Sequence, residues 1–111
     1  MPDQEEILYE MKVEILKALA NVTRLKIAKL LLGTELCVND IVEELGLERT
    51  SVSKHLGILQ KANILSSRRE GTTVFYTLLV PCIINIFGCV EEVLREQAKS
   101  KMAVLKTMPK G

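Results

Sequence analysis

Three cysteines are the most reactive side chains in this sequence. They are Cys37, Cys82 and Cys89, and no two of them form a Cys-x-x-Cys pair. An odd number of cysteines without short spacings is atypical of the disulfide frameworks of secreted proteins. The sequence therefore predicts reduced thiols, which are able to bind soft metal ions or to undergo oxidation.

The one histidine, His55, raises the question of nucleophilic catalysis together with a cysteine. Such a pair needs a third group to orient the imidazole, and donors that stabilise an oxyanion. The sequence indicates neither, so we expect that the protein is not an enzyme. His55 lies in a Ser-x-His-Leu pattern, where it either packs within the fold or takes part in recognition.

The charges are distributed unevenly, although their sum is only +1. Residues 1–48 carry 5 basic and 10 acidic side chains, residues 49–72 carry 5 and 1, and residues 73–111 carry 5 and 3. A short basic segment in an otherwise acidic chain is typical of a module that places one face on phosphates. Segment 49–72 therefore predicts contact with a nucleic acid.

Length and composition favour one small folded domain. The chain has 111 residues, of which 48% are hydrophobic and 26% charged, as in a globular protein. The N-terminus is acidic, unlike a signal peptide, and the apolar run 76–90 is shorter than the roughly 20 residues of a membrane span. We expect a single domain over residues 1–106, a flexible tail at 107–111, a cytoplasmic location and no membrane contact.

Hydrophobic periodicity predicts four helices in the first half of the chain. Apolar residues recur every three or four positions over residues 3–19, 22–32, 38–45 and 49–61. A tight turn containing Gly46 joins the third and fourth helices. Two short helices joined in this way are typical of a helix-turn-helix.

The period changes after the fourth helix. Residues 64–70 and 73–79 read as two strands joined by a turn at 70–72. Pro81 then suits the first turn of a last helix, which we expect to run to about residue 105. The predicted fold class is mainly α with a β-hairpin wing: four helices, the hairpin and a fifth helix.

Four segments of matching chemistry occur in a familiar order within about residues 15–80. They are ALANVTRLKIAKLLL, ELCVNDIVEELGL, TSVSKHLGILQKANIL and RREGTTVFYTL. The chain thereby resembles the ArsR/SmtB family of winged helix-turn-helix transcriptional regulators. The resemblance implies a homodimer that binds double-stranded operator DNA, usually as a repressor, and releases it when an effector binds.

The predicted DNA contacts lie in the first turns of the fourth helix and around the tip of the wing. A recognition helix meets base edges with its N-terminal residues, and lysine or arginine there anchors phosphates. Glu48 stands where relatives often carry a capping Ser or Thr, which favours a helix start at Thr50. The residues predicted to contact DNA are Arg49, Thr50, Ser51, Ser53, Lys54, His55, Arg68, Arg69 and Thr72.

The family resemblance bears on the cysteines as well. Soft-metal sensors of the family carry Cys-Val-Cys where this chain has Cys37 and, in place of the second cysteine, Asn39. One thiolate does not enclose a three-coordinate soft ion. Zinc sensors use Asp and His on the last helix, where this chain has Val80 and Cys82 with no histidine beyond. A zinc site of that kind is therefore not expected.

Cys82 and Cys89 are seven residues apart, which places them on one face of a helix. Their rise of about 10.5 Å is too long for a disulfide or for one shared ion within the helix. If two last helices pair antiparallel about an axis near residues 85 and 86, Cys82 of one subunit lies opposite Cys89 of the partner subunit. Cys37 is the third candidate ligand in this interpretation.

The sequence leaves three interpretations of the cysteines open. They form an effector site for a soft ion such as arsenite, cadmium or copper(I), or a redox or persulfide switch, or they are small buried apolar residues. No cofactor is otherwise required. The apolar stripes of the first and last helices exceed what a small domain buries, which predicts a homodimer through them. The alternative from another class is a winged-helix module for protein association without operator specificity.

Overall fold

The structure is a computed structural model that describes residues 3–107, without the side chains of residues 104, 105 and 107. The chain divides into two compact units, residues 1–81 and residues 82–111. Over the described residues, the first unit contains four helices and three strands, and the second contains one helix.

Polar caps start the first two helices. Helix α1 spans Gln4–Leu19, and the carboxylate of Asp3 accepts a hydrogen bond of 2.8 Å from the backbone N–H of Glu6. Helix α2 spans Val22–Leu30, and Asn21 caps it by accepting from the backbone N–H of Arg24. Each cap satisfies a backbone donor that the first helical turn leaves free. Asn21 thus ends one predicted helix and begins the next.

Helices α3 (Val38–Leu45) and α4 (Arg49–Lys61) form the helix-turn-helix. Gly46 ends α3 with φ of +63°, a left-handed conformation that glycine adopts without strain. The predicted span 49–61 of α4 is confirmed, and the alternative start at Thr50 is wrong, because Arg49 is already helical. Glu48 precedes it with an extended backbone, and its side chain makes no capping hydrogen bond.

The wing belongs to a three-stranded antiparallel sheet. Strands β1 (Leu36–Cys37), β2 (Leu65–Glu70) and β3 (Thr73–Leu78) lie in the order β1-β3-β2. Strands β2 and β3 form the predicted hairpin, with Gly71 in its turn at φ of +64°. Strand β1 was not predicted, because two residues are too few to show an alternating pattern.

One hydrophobic core holds the first unit together. All of the large side chains that are almost completely buried are aliphatic. They come from the four helices of this unit, from the residue that caps α2, and from the residues at the start of the wing. They are Leu19, Ile27, Leu31, Ile41, Val52, Leu56, Leu59, Ile64 and Leu65. No polar or charged side chain is buried among the described residues. The root of the wing and helix α4 are therefore fixed on the same apolar core.

Helix α5 spans Cys82–Thr107. It begins one residue after Pro81, which was predicted to lie in its first turn, and it extends two residues beyond the predicted end. The tail predicted for residues 107–111 lies, apart from helical Thr107, outside the described residues. Within residues 3–107, no helix is long and apolar enough to cross a membrane.

Candidate nucleic-acid interface

The first turns of α4 present a polar face to solvent. Thr50, Ser51, Ser53 and Lys54 are exposed, whereas Val52 of the same turns is completely buried. Burial of the apolar side anchors the helix, and the opposite side stays free for a ligand. The structure therefore brings these four predicted contact residues together on one accessible face.

Arg49 is held by the other helix of the pair. Its guanidinium donates a hydrogen bond to the side-chain oxygen of Asn39 in the first turn of α3. Both residues line a groove of about 300 Å³, which Cys37 and the wing residues Thr72 and Thr73 also line. In the sequence, Asn39 was considered only as the residue that replaces the second cysteine of a thiolate pair. The structure shows that its side chain also orients the guanidinium of Arg49.

His55 is half-buried and connects α4 to α2. Its Nδ1 lies 3.3 Å from Nη1 of Arg24, whose Nε donates to the backbone carbonyl of Ala18 at the end of α1. Partial burial lowers the pKa of His55 from its ordinary 6.5, and the positive charges of Arg24 and Lys54 lower it further. Because arginine only donates, Nδ1 accepts and the proton of the neutral ring is on Nε2.

The two arginines of the wing differ in their surroundings. Arg68 lies 2.6 Å from a carboxylate oxygen of Glu35 and 3.0 Å from one of Glu70. Hydrogen bonds from Arg68 and Thr77 hold the pKa of Glu35 below its ordinary value, so Glu35 stays ionised at neutral pH. Arg69 is exposed, and its side chain has no hydrogen bond or ion pair within residues 3–107.

A further contact joins the recognition helix to the wing. The side-chain amide of Gln60, near the end of α4, donates a hydrogen bond of 2.8 Å to the hydroxyl of Ser67 in β2. Neither residue was singled out from the sequence. A polar residue at the end of a recognition helix, followed by serines in the next strand, is too weak a signal to predict the contact.

The cysteines lie in different units. Cys37, in the first unit, is half-buried at the junction of β1 and α3, and its backbone N–H and thiol both donate to Asp40 at 3.2 Å. Cys82 and Cys89 are exposed on α5 in the second unit. Among residues 3–107, no three His, Cys, Asp or Glu side chains come together as a metal site.

An exposed polar helix face, a helix-turn-helix and a basic hairpin wing occur together in the first unit. Recognition helices of this kind enter the major groove of DNA, and neighbouring lysine and arginine side chains contact the phosphates. These features define a winged helix-turn-helix protein.

Comparison with known proteins gives the family. The family described as "Bacterial regulatory protein, arsR family" matches residues 21–67. An uncharacterized HTH-type transcriptional regulator of Mycobacterium tuberculosis, Rv0081, is 30% identical over 109 residues, which are 97% of this chain and 96% of that protein. The chain belongs to the arsR family of bacterial regulatory proteins, which confirms the predicted resemblance. It is therefore a DNA-binding transcription regulator and not an enzyme.

Solved structures agree with this assignment. A homodimeric winged helix-turn-helix DNA-binding domain from Mycobacterium bovis matches with a TM-score of 0.73 at 30% identity, and the match covers 90% of this chain and 93% of that one. Reduced HlyU from Vibrio cholerae matches with a TM-score of 0.71 at 34% identity, over 78% of this chain and 95% of that one. The predicted fold class is confirmed.

The environment of His55 leads to a prediction for the free protein. Its imidazole, the single one in the chain, should titrate with a midpoint below 6.5 in a proton NMR experiment. Because the folded protein then binds this proton more weakly than the unfolded chain, the contribution of His55 to stability falls as the pH drops from about 6.5 towards the lower folded pKa. The variant Arg24→Gln should raise the midpoint, since it removes a neighbouring positive charge.

The control is Lys26→Gln, which removes an equal charge from an exposed position of the same helix. It should leave the midpoint close to that of the wild type, because Lys26 is not among the charges that lower the pKa of His55. A wild-type midpoint at or above 6.5, or no change in Arg24→Gln, would contradict the assigned environment.

Proposed function

We propose that this chain is a homodimeric repressor that binds an inverted-repeat operator and is released by a thiol-reactive effector. The observation that carries the DNA-binding part is the exposed polar face of α4 beside a wing that presents the exposed Arg69. Two recognition helices related by a two-fold axis enter successive major grooves roughly 34–36 Å apart, so the operator repeats mirror the protein symmetry.

The apolar surface of α1 supports the dimer. Six large hydrophobic side chains of this helix are 43–59% exposed: Ile7, Leu8, Tyr9, Met11, Val13 and Leu16. Concentrations of exposed apolar side chains mark association surfaces in soluble proteins. The similar domain from Mycobacterium bovis is homodimeric. We assign α1 to the subunit interface, together with α5, which exposes Ile86, Val90, Val93 and Leu94.

Sedimentation equilibrium tests the interface. The double variant Leu8→Gln/Met11→Gln should raise the Kd of dimerisation by at least about tenfold, because each buried side chain of this size contributes about 1.5–3 kcal/mol. The matched control is Glu5→Gln/Glu10→Gln, which introduces the same residue at two exposed polar positions of the helix. A monomeric wild type, or equal effects of both double variants, would contradict the assignment.

The proposed contacts divide by chemistry. Lys54 and Arg49 anchor phosphates, and so does Arg69 in the wing, whereas hydroxyls and the imidazole reach phosphates or base edges. Arg68 is the exception, because two carboxylates already occupy its guanidinium. The residues with hydroxyl or imidazole groups in this proposal are Thr50, Ser51, Ser53, His55 and Thr72.

Lys54→Ala tests the phosphate contact. Binding to every duplex should weaken, and the slope of log K against log salt should become shallower by about 0.9, since one fewer counterion is released. Lys61→Ala is the control, because Lys61 is an exposed lysine in the last turn of the same helix. Fluorescence anisotropy with a labelled random duplex measures both slopes, and an unchanged slope in Lys54→Ala would contradict the contact.

The same titration separates the two classes of function. A DNA-binding face must bind a random duplex at low salt and lose it at moderate salt. A module used only for protein association has no such response. Membership of the arsR family favours the DNA-binding regulator.

We place the effector site at Cys82 of one subunit and Cys89 of the partner subunit. Both cysteines are exposed on α5, where an incoming ion or oxidant has access to them. Two thiolates at each end of an antiparallel helix pair suit arsenite, cadmium or copper(I). The second candidate is an intersubunit disulfide or persulfide switch, which the existence of a reduced form of the similar HlyU favours.

Thiophile titration distinguishes these possibilities. The reduced dimer should develop thiolate-to-metal absorption with cadmium or copper(I) and lose its DNA affinity, and both effects should vanish in Cys82→Ser and Cys89→Ser. The same loss in Cys37→Ser would identify Cys37 as a third ligand. A dimer-sized band on non-reducing electrophoresis after mild oxidation, without any metal response, would support the redox switch instead. If neither response occurs, the proposed effector site is wrong.

A further inference from the structure

The guanidinium of Arg68 uses all three of its nitrogens within the protein. Its Nη2 lies 2.6 Å from Oε1 of Glu35, and its Nε lies 3.0 and 2.9 Å from the two oxygens of that carboxylate. Its Nη1 donates to Glu70 at 3.0 Å. A guanidinium bound to a carboxylate through two nitrogens is fixed in direction as well as in position. Arg68 is therefore not a freely moving surface cation.

This ion pair crosses the sheet. Glu35 directly precedes β1, and Arg68 lies in β2, while β3 runs between these two strands. The guanidinium lies 4.7 Å from the ring centre of Phe75 on β3, its directly paired residue. Thr77, two residues further on β3 and hence on the same face, donates to Glu35 at 3.2 Å. Side chains at both edges and in the middle of the sheet thus form one cluster.

The cluster joins the wing to the helix-turn-helix. Strand β1 continues directly into α3, and β2 leads to the tip of the wing at Gly71. A two-stranded ribbon twists easily when it stands alone. A side-chain link from β2 to the residue before β1 restricts that twist, so it sets the angle of the wing relative to α3 and α4.

The charges of the cluster argue against direct contact with DNA. One arginine and two glutamates give it a net charge of −1, so a phosphate must displace a carboxylate to reach Arg68. Arg69 points to the opposite face of the strand, because successive side chains alternate. It is exposed and unpaired within the described part of the chain.

We propose that Arg68 is a positioning residue, which holds the wing at the angle needed for DNA binding through its pair with Glu35, whereas Arg69 supplies the phosphate contact. This inference rests on the proposed operator binding. It assigns different roles to two adjacent arginines, both of which were predicted from the sequence to contact DNA.

Removal of Glu35 separates positioning from contact. If Arg68 contacted phosphate, Glu35→Gln would free its Nε and Nη2 from a carboxylate, with only the contact to Glu70 left, so DNA would bind more tightly with a steeper salt slope. If Arg68 positions the wing, the same substitution loosens the wing, and DNA binds more weakly with an unchanged slope. The two interpretations therefore predict changes of opposite sign.

The experiment uses the full chain and a duplex that the wild type selects from a randomised library. Anisotropy titrations between about 50 and 200 mM salt give Kd and slope for each variant. Arg68→Gln and Glu35→Gln should each weaken binding about fivefold, and their slopes of log K against log salt should equal that of the wild type. The double variant should lose no more than either single one, since the two residues act as a unit. Arg69→Gln should instead reduce the slope by about 0.9.

Three results would overturn the inference while leaving operator binding intact. They are tighter binding by Glu35→Gln, a slope change in Arg68→Gln equal to that in Arg69→Gln, and additive losses in the double variant. No binding by the wild type would overturn the proposed function and this role with it. Exposed ion pairs add little to stability, so each variant should keep nearly the wild-type Tm, which circular dichroism verifies.

Discussion

The structure of the first unit depends on one small aliphatic core. Residues from α1, α2, α3, α4 and the root of the wing meet there, and no buried polar group among the described residues directs the packing. Burial of Leu56 and Leu59 fixes the rotation of α4, and Leu65 fixes the strand that follows it. Because the polar face of α4 is opposite its buried face, packing against the core determines which side of α4 faces the solvent.

An aliphatic core is not directional, and the finer orientation comes from polar links at its edge. Arg24 joins α2 to α4 through His55, and Asn39 joins α3 to the start of α4 through Arg49. Gln60 then connects the end of α4 to the wing. Each link is partly exposed and adds little stability by itself. Together they restrict the orientations that the recognition helix and the wing can adopt on the core.

The sequence predicted the elements well because each has a periodic apolar face or a turn glycine. Helices α3 and α4 were predicted within one residue, and Gly71 marked the wing turn. The polar links were not predicted, since their partners are far apart in the chain: Arg68 and Glu35 are 33 residues apart, and His55 and Arg24 are 31 apart. Periodicity reports on local structure, whereas these pairs depend on the tertiary arrangement.

The position of Arg24 has a mechanical consequence. A single guanidinium contacts the last turn of the helix that carries the exposed apolar stripe and also the imidazole on the DNA-reading helix. Because the guanidinium is planar and rigid, the distance between its two contacting nitrogens is fixed. When α1 slides or tilts, the imidazole must follow or one of the two bonds must break. One side chain therefore couples the position of α1 to that of α4.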